Sequence, residues 1–393
     1  MNCKEKFFEI YGKEAEGVSF CPYRVCPLGA HIDHQMGKVT GFAIDKGISI
    51  AYRPKQNGVV ELVSLQFPKR AQFHIASVPK HKEGDWADYL RGACLMLSKK
   101  FSLEVGLCGV IEGSLPIGGL SSSAAVTIAF LTALCKVNNI KISQKELIKT
   151  ALEAENNYVG VSVGKLDQSC EVYCRKDKLL YLDTKDDSFE LIPQNKAMKP
   201  YEIAIFFSGM ERNLIGSGYN MRVDEVKSAA YALMAFSGME YGKFSDTYLR
   251  DVPKEVFDKY KDRLPQNWRK RAEHFYSESE RVEKGAKAWT DGDLESFGEL
   301  VFESGFSSIY NYETGADELK EIYNIMKETN GIYGGRFSGA GFKGCCMALI
   351  NPDFKEQIQK EVTQRYLKAF PQYKDTFSVH FCKTADGCGI HFE

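Results

Sequence analysis

The chain lacks the marks of several common functional classes. No apolar run approaches the ~18 residues of a transmembrane helix, which argues against a membrane-spanning protein. Lys and Arg number 51 against 52 Asp and Glu, with no basic block, which argues against nucleic acid or an anionic membrane as partner. Cysteines number 12, yet none forms a CxxC pair; Cys21 and Cys26, Cys170 and Cys174, and Cys382 and Cys388 are too widely spaced. A zinc or redox motif therefore has little support. The opening residues, MNCKEKFFEIYGKEAEG, are charged and amphipathic rather than like a signal peptide. The thiols are thus expected to be reduced, in a cytoplasm, and mostly small core residues. Low-complexity segments and internal repeats are also missing. What remains is ordinary soluble globular composition, 44% hydrophobic and 26% charged over 393 residues, enough for roughly two to three domains.

Alternating or β-branched runs predict strands at 18–26, 39–52, 59–65, 105–113, 179–183, 201–207, 345–350 and 377–382. Helical spacing runs through Trp86, Tyr89, Leu90, Ala93 and Leu97, and again through Ala124, Ile128, Leu131 and Cys135. Ser143 with Glu146 reads as a capping box opening a further helix, whose inward stripe is Ile148, Ala151 and Leu152. Longer helices are expected at 216–237, 266–289 and 293–303. The polar stretch from Asp183 to Pro200 is the best domain boundary, dividing the chain into 1–195 and 196–393.

The most informative segment is Leu115–Ala125, LPIGGLSSSAA, followed by an apolar, small-residue helix. Glycines let a backbone approach a ligand closely, and a helix start offers free N–H groups and the positive end of its dipole. Three serines at that start favour an anion, above all a phosphate. The segment has neither the Lys of a P-loop nor a GxGxxG turn, so it points away from both of those nucleotide folds. The plainer reading is a serine N-cap on a buried helix. A second Gly-rich segment, Gly334–Cys345, is expected to be a loop lying against a ligand or against the first glycine loop.

Charged groups sit where the pattern predicts burial. Arg24 lies in a predicted strand, Glu155 continues the apolar face of the helix after Ser143, and Asp167 stands at an expected loop-to-strand entry. His31, Asp33 and His34 crowd one short loop. Each has a plainer reading alone: a helix end, a turn residue, a structural ion pair, satisfied histidines. A buried charge costs several kcal/mol unless paired, so together they suggest a site. The H-x-D-H cluster has no second ligand cluster to support a metal hydrolase.

In these residues the chain resembles the GHMP sugar and metabolite kinases, and within them the galactokinases and their uronic-acid relatives. Tyr23–His34 stands where galactokinases carry G-R-V-N-L-I-G-E-H-T-D-Y, Pro116–Ala124 matches P-x-x-x-G-L-S-S-S-A, and Gly334–Cys345 matches G-x-R-x-T-G-x-G-F-G-G-C. Segments 86–92, 154–168 and 212–222 are also similar. The resemblance implies an α+β, two-domain fold, with an N-terminal domain like the second domain of ribosomal protein S5, a ferredoxin-like C-terminal domain, and the active site in the cleft between them. It implies ATP and Mg²⁺ as cofactors and a small sugar as partner, with the protein a monomer or weak homodimer.

The implied roles follow residue by residue. Asp167 aligns with the base that deprotonates the sugar's C1 hydroxyl, and Arg24 with the arginine that keeps it ionised and steadies the moving phosphoryl group. Ser123 and Glu155 align with Mg²⁺ ligands. His31, Asp33 and Tyr219 align with sugar contacts. Gly118, Gly119, Leu120, Ser121, Ser122 and Ser123, with Gly339 of the second loop, align with the ATP-phosphate cradle, and Trp86 and Tyr89 with its adenine side. The family's Glu facing the far end of galactose is Ala30 here, which makes room for a sugar with its own C6 carboxylate. Lys165, with Arg212 or His31, is expected to receive that carboxylate. D-galacturonate is therefore the expected substrate and D-galactose the alternative. A catalytically silent sugar sensor is disfavoured, because the serines, Glu155, Asp167 and Arg24 are all retained.

Overall fold

The computed structural model describes residues 3–210 and 218–388. The first half runs through α1 (Cys3–Tyr11), β1 (Gly17–Val25), β2 (Lys38–Lys55), β3 (Val59–Ser64), β4 (Arg70–His74), α2 (Asp88–Ser98) and β5 (Gly106–Gly113). It continues with α3 (Ser122–Val137), α4 (Gln144–Glu153), α5 (Leu166–Tyr173), β6 (Lys178–Asp183) and β7 (Phe189–Pro193). The second half holds β8 (Glu202–Phe207), α6 (Tyr219–Ser237), α7 (Lys254–Tyr260), α8 (Gln266–Asp291), α9 (Leu294–Tyr310) and α10 (Asp317–Glu328). It ends with β9 (Ile332–Phe337), β10 (Cys345–Ile350), α11 (Lys355–Ala369), β11 (Ser378–Cys382) and β12 (Thr384–Ala385).

One sheet has the order β4-β3-β5-β2-β6-β7, with β1 and β12 also on β2, and the other β11-β8-β10-β9. The length of β2, 18 residues, lets it serve β5 and β6 at different points along itself. Strand β12 returns to β2 (Thr384 opposite Ile44), and the Cys388 N–H donates to the Glu171 carbonyl of α5 at 2.5 Å. Helix α3 is apolar nearly all round and packs between β1, β2 and the helices α2, α4 and α5. Ile128, Ala129, Leu131 and Leu134 on it are fully buried. At about 1.5–3 kcal/mol per large buried side chain, this packing anchors the helix and fixes where its N-terminus points.

The predicted strands lie within a few residues of observed ones, and the Ser143 hydroxyl accepts from the Glu146 N–H at 3.2 Å. Three differences have physical causes. The polar stretch after Asp183 contains β7, which pairs with β6 as a hairpin although its outer face is solvated. Asp167 lies in the first turn of α5 rather than at a strand entry. The start of the second Gly-rich segment is strand β9, and its glycines serve packing: a Cβ on Gly334 would run into the Gly298 backbone of α9.

Candidate active site

The chain leaves β5, turns through Ser114–Ser121 and enters α3. Gly118, Gly119 and Ser121 have φ of 138°, 81° and 63°, a region that favours glycine. Contact explains the glycines. A Cβ on Gly118 would lie 2.9 Å from Gly344 Cα, and one on Gly339 would lie 3.0 Å from Gly119 Cα. The later part of the second Gly-rich segment therefore lies directly on the first, as one of the two sequence expectations had it. The Gly119 carbonyl accepts from Ser338 Oγ at 2.7 Å and from Arg24 Nη1 at 2.9 Å. Ser121 occupies the N-cap position but makes no capping bond, and its buried Oγ lies against the buried Glu171 carboxyl without a well-formed hydrogen bond. A simple cap would bond an N–H of the first turn. This turn instead leaves its N–H groups, hydroxyls and dipole for an anion.

Beside the loop, Arg24 Nε and Nη2 both reach Asp167 Oδ1 at 2.7 Å. The guanidinium is 4% exposed, so it needs this partner. Burial weakens its hold on its proton, but Asp167 outweighs burial and keeps it charged. Removing one member of such a pair typically costs about 3–5 kcal/mol. Among the described residues no donor reaches Asp167 Oδ2, which leaves that oxygen open.

Glu155 sits in a π-helical turn, Ala154–Val159, that continues α4 and rolls the carboxyl inward to 2% exposure. Such widened turns recur at functional sites. Gln168 Nε2 donates to Glu155 Oε1 at 3.4 Å. Burial, and then the Asp167 charge, push its pKa up to about 8, against the pull of Gln168, Arg24 and the Ser123 hydroxyl. Glu155 and Ser123 are thus neighbours, and the carboxyl has no full counter-charge.

On the other side of Asp167 opens a cavity of about 180 Å³. The loop after β1 supplies Ala30, His31 and Asp33, α6 supplies Tyr219, and β9 supplies Arg336. Asp33 Oδ2 accepts from the Leu166 N–H at 3.3 Å, and a side chain at Gly164 would collide with it. Burial and Asp167 raise the Asp33 pKa to about 6. His34 is satisfied by the Tyr312 hydroxyl at 3.0 Å, and burial takes its pKa down to about 3. His31 is different: it stacks on Tyr312 at 4.5 Å, is buried, and its Nε2 has no partner.

The structure thus brings Arg24, Ala30, His31, Asp33, Asp167, Tyr219 and Gly339 to one cavity, with the serine loop and Glu155 adjoining. Lys165 requires a correction. It is the N-cap residue of α5, and its side chain turns away to pair with Asp187 in a separate groove that also contains Lys145 and Tyr173. It does not line the sugar-sized cavity. Arg212 lies outside the described residues. Trp86 stacks on Phe67 at 6.3 Å beside the start of α2, and Tyr89 lies on the first turn of that helix; neither lines the cavity. Among the described residues there is no cluster of three His, Cys, Asp or Glu fit for a metal. Sequence reasoning missed Gln168, His274, Tyr312 and Arg336. Of these only Arg336 had a signal, a charge inside a Gly-rich segment, as Arg24 is a charge inside an apolar strand.

Folds and loops of this kind define a GHMP kinase. The family description for the GHMP kinases N terminal domain matches residues 88–175, that for GHMP kinases C terminal matches 283–368, and the galactokinase galactose-binding signature matches 5–54. The galacturonokinase of Arabidopsis thaliana is 37% identical over 98% of this chain and 97% of its own length. The galactokinase of Roseiflexus sp. (strain RS-1) is 30% identical over 98% and 96%. The crystal structure of Lactococcus lactis galactokinase complexed with galactose superposes with a TM-score of 0.88 at 29% identity, covering 98% of this chain and 97% of that one. A mevalonate kinase shares the fold at a TM-score of 0.66 and 17% identity. The chain belongs to the galactokinase and galacturonokinase branch of the GHMP kinases, and it is a sugar kinase. No helix among the described residues is long and apolar enough to cross a membrane.

Proposed function

We propose that this enzyme transfers the γ-phosphoryl group of ATP to the C1 hydroxyl of a galacto-configured sugar, with D-galacturonate preferred and galacturonate 1-phosphate the product. The observation that carries the reading is the Arg24–Asp167 pair, which stands between an anion-binding serine loop and a sugar-sized cavity. Asp167 takes the proton of the C1 hydroxyl. The oxygen then bonds the γ-phosphorus as the bond to the bridging oxygen breaks, and ADP leaves. Arg24 orients Asp167 through their ion pair and offsets charge on the moving group. Residues 118–123 with Gly339 hold the phosphates, Trp86 and Tyr89 stand on the adenine side, and Tyr219, His31 and Asp33 contact the sugar.

Ser123 and Glu155 fit Mg²⁺. Both are hard oxygen donors, and the buried Glu155 carboxyl lacks the cation that would keep it ionised. When bound, the ion would supply charge neutralisation to the nucleotide phosphates. Ala30 supports the uronate: a carboxylate at that position would face the sugar's own. The reading also takes the enzyme to be cytoplasmic, a monomer or weak homodimer, with its two domains meeting near residue 195, between β7 and β8.

Galactose is the second reading, favoured by the galactose-binding signature over residues 5–54 and by the galactose-bound relative. Coupled ADP release with galacturonate, galactose, glucuronate and arabinose separates the two. Turnover of galactose with none of galacturonate overturns the uronate assignment.

A further inference from the structure

Two arginines line the sugar-sized cavity, Arg24 and Arg336. Arg24 is committed to Asp167. Arg336, on β9 and 1% exposed, lines the same cavity with no comparable partner. Its Nε donates to the Phe337 carbonyl at 3.1 Å, Nη2 to the Ser308 hydroxyl at 3.0 Å, and Nη1 to the Ser304 hydroxyl, all neutral acceptors. Two of the five guanidinium N–H groups are left over. Its ion-pair neighbour, Glu278 of α8, is 3.7 Å away. That acid is already held by Arg281 at 2.8 Å and by the Gly29 N–H at 2.7 Å. Burial lowers the Arg336 pKa, and Glu278 does not make up the difference. The acids lining the cavity are Asp33, bonded to the Leu166 N–H, and Asp167, paired with Arg24. Beside Arg336, where an acid could have stood, are Ala30 and His31, whose Nε2 is buried without a partner.

A buried cation short of counter-charge that lines a ligand cavity is a receptor for an anion. We propose that Arg336 and His31 together receive the acid group of the sugar, and that His31 takes up a proton as that group binds. This rests on the reading of a uronate substrate. The groups facing His31 are His34 and Asp33 of its own loop, Arg24 of β1, His274 of α8, Arg336 of β9, and the rings of Tyr219 and Tyr312. Burial, then Arg336, His274, His34 and Arg24, hold the free ring well below the usual histidine range, so it is neutral at pH 7. A carboxylate set against it reverses that balance, and the charged ring has two donors.

Calorimetry on the intact enzyme, with galacturonate and with galactose in two buffers of different ionisation enthalpy, tests this. Galacturonate binding is expected to take up about one proton more than galactose binding does. The ratio of the galactose Kd to the galacturonate Kd then rises as pH falls from 8 to 6, by up to about tenfold per pH unit for one full proton. Titration of Asp33 affects both sugars and cancels in that ratio. His31→Asn should abolish that difference and flatten the ratio. Arg336→Lys, which keeps the charge, should weaken galacturonate more than galactose, with thermal melting as the check on folding. Equal proton uptake for the two sugars, or a difference that survives His31→Asn, overturns the proposal and leaves the substrate reading standing. Failure of galacturonate to bind where galactose binds overturns both.

Discussion

On the sugar side of the cleft most polar groups already have partners: Arg24 and Asp167 hold each other, Asp33 takes the Leu166 N–H, and His34 meets Tyr312. On the nucleotide side they do not. Ser121 Oγ is buried without a well-formed hydrogen bond, the first turn of α3 is uncapped, and Glu155 is buried with no cation of its own. A neutral, already hydrogen-bonded cavity holds a sugar with little rearrangement. On the proposed reading, the electrically open loop gains most of its order from the phosphates and cation it would bind. The exception on the sugar side, around Arg336, is where an anionic substituent is expected.

This contrast can be broken in graded steps. The largest effect is expected from Asp167→Asn, which removes the base and leaves Arg24 buried beside a neutral amide. Turnover should fall by about 10²–10⁴-fold, with sugar affinity by calorimetry largely retained. Loss of sugar binding together with activity would mean that the pair holds the cavity and not the proton.

Glu155→Gln comes next and acts on the open side. Half-saturating Mg²⁺ should rise by at least the 10–100-fold that loss of a metal's outer partner costs, while galacturonate affinity stays near its original value. An unchanged Mg²⁺ requirement with a lowered melting temperature would assign Glu155 to structure.

Ala30→Glu tests the far end of the sugar. Two facing carboxylates repel, partly offset by solvent and nearby cations, so kcat/KM for galacturonate should drop by about tenfold or more, about 1.4 kcal/mol, with galactose unaffected or improved. Equal losses for both sugars would indicate simple crowding.

The smallest expected effect is in pH. As a proposed sugar contact, Asp33 accepts from hydroxyls more strongly when ionised, and its pKa is raised to about 6 by burial and Asp167. The galactose KM should therefore climb as pH falls through 6 and level off above it. A flat KM between pH 5 and 7 would remove Asp33 from direct sugar contact.

Arg24, Glu155 and the serine loop were legible in the sequence because each violates a local rule: a charge in an apolar strand, a carboxylate on an apolar helix face, three hydroxyls ahead of a small-residue helix. Ala30 was legible only against a family pattern. Lys165 misled because adjacency to Asp167 in sequence says nothing of direction, and at a helix start successive side chains point to different sides. His274, Tyr312 and Gln168 have no local signature, since each matters only through a partner brought in from another element.

Periodicity and turn chemistry act over a few residues, so the chain by itself determined its strands, its helices, the two glycine loops and the acids and arginine set into them. Tertiary structure alone decided that Gly118 meets Gly344, that Glu155 reaches Ser123, and that Arg336 and Arg24 line one cavity. Those contacts join residues far apart in the chain, and only the packing of both sheets around their helices sets such distances.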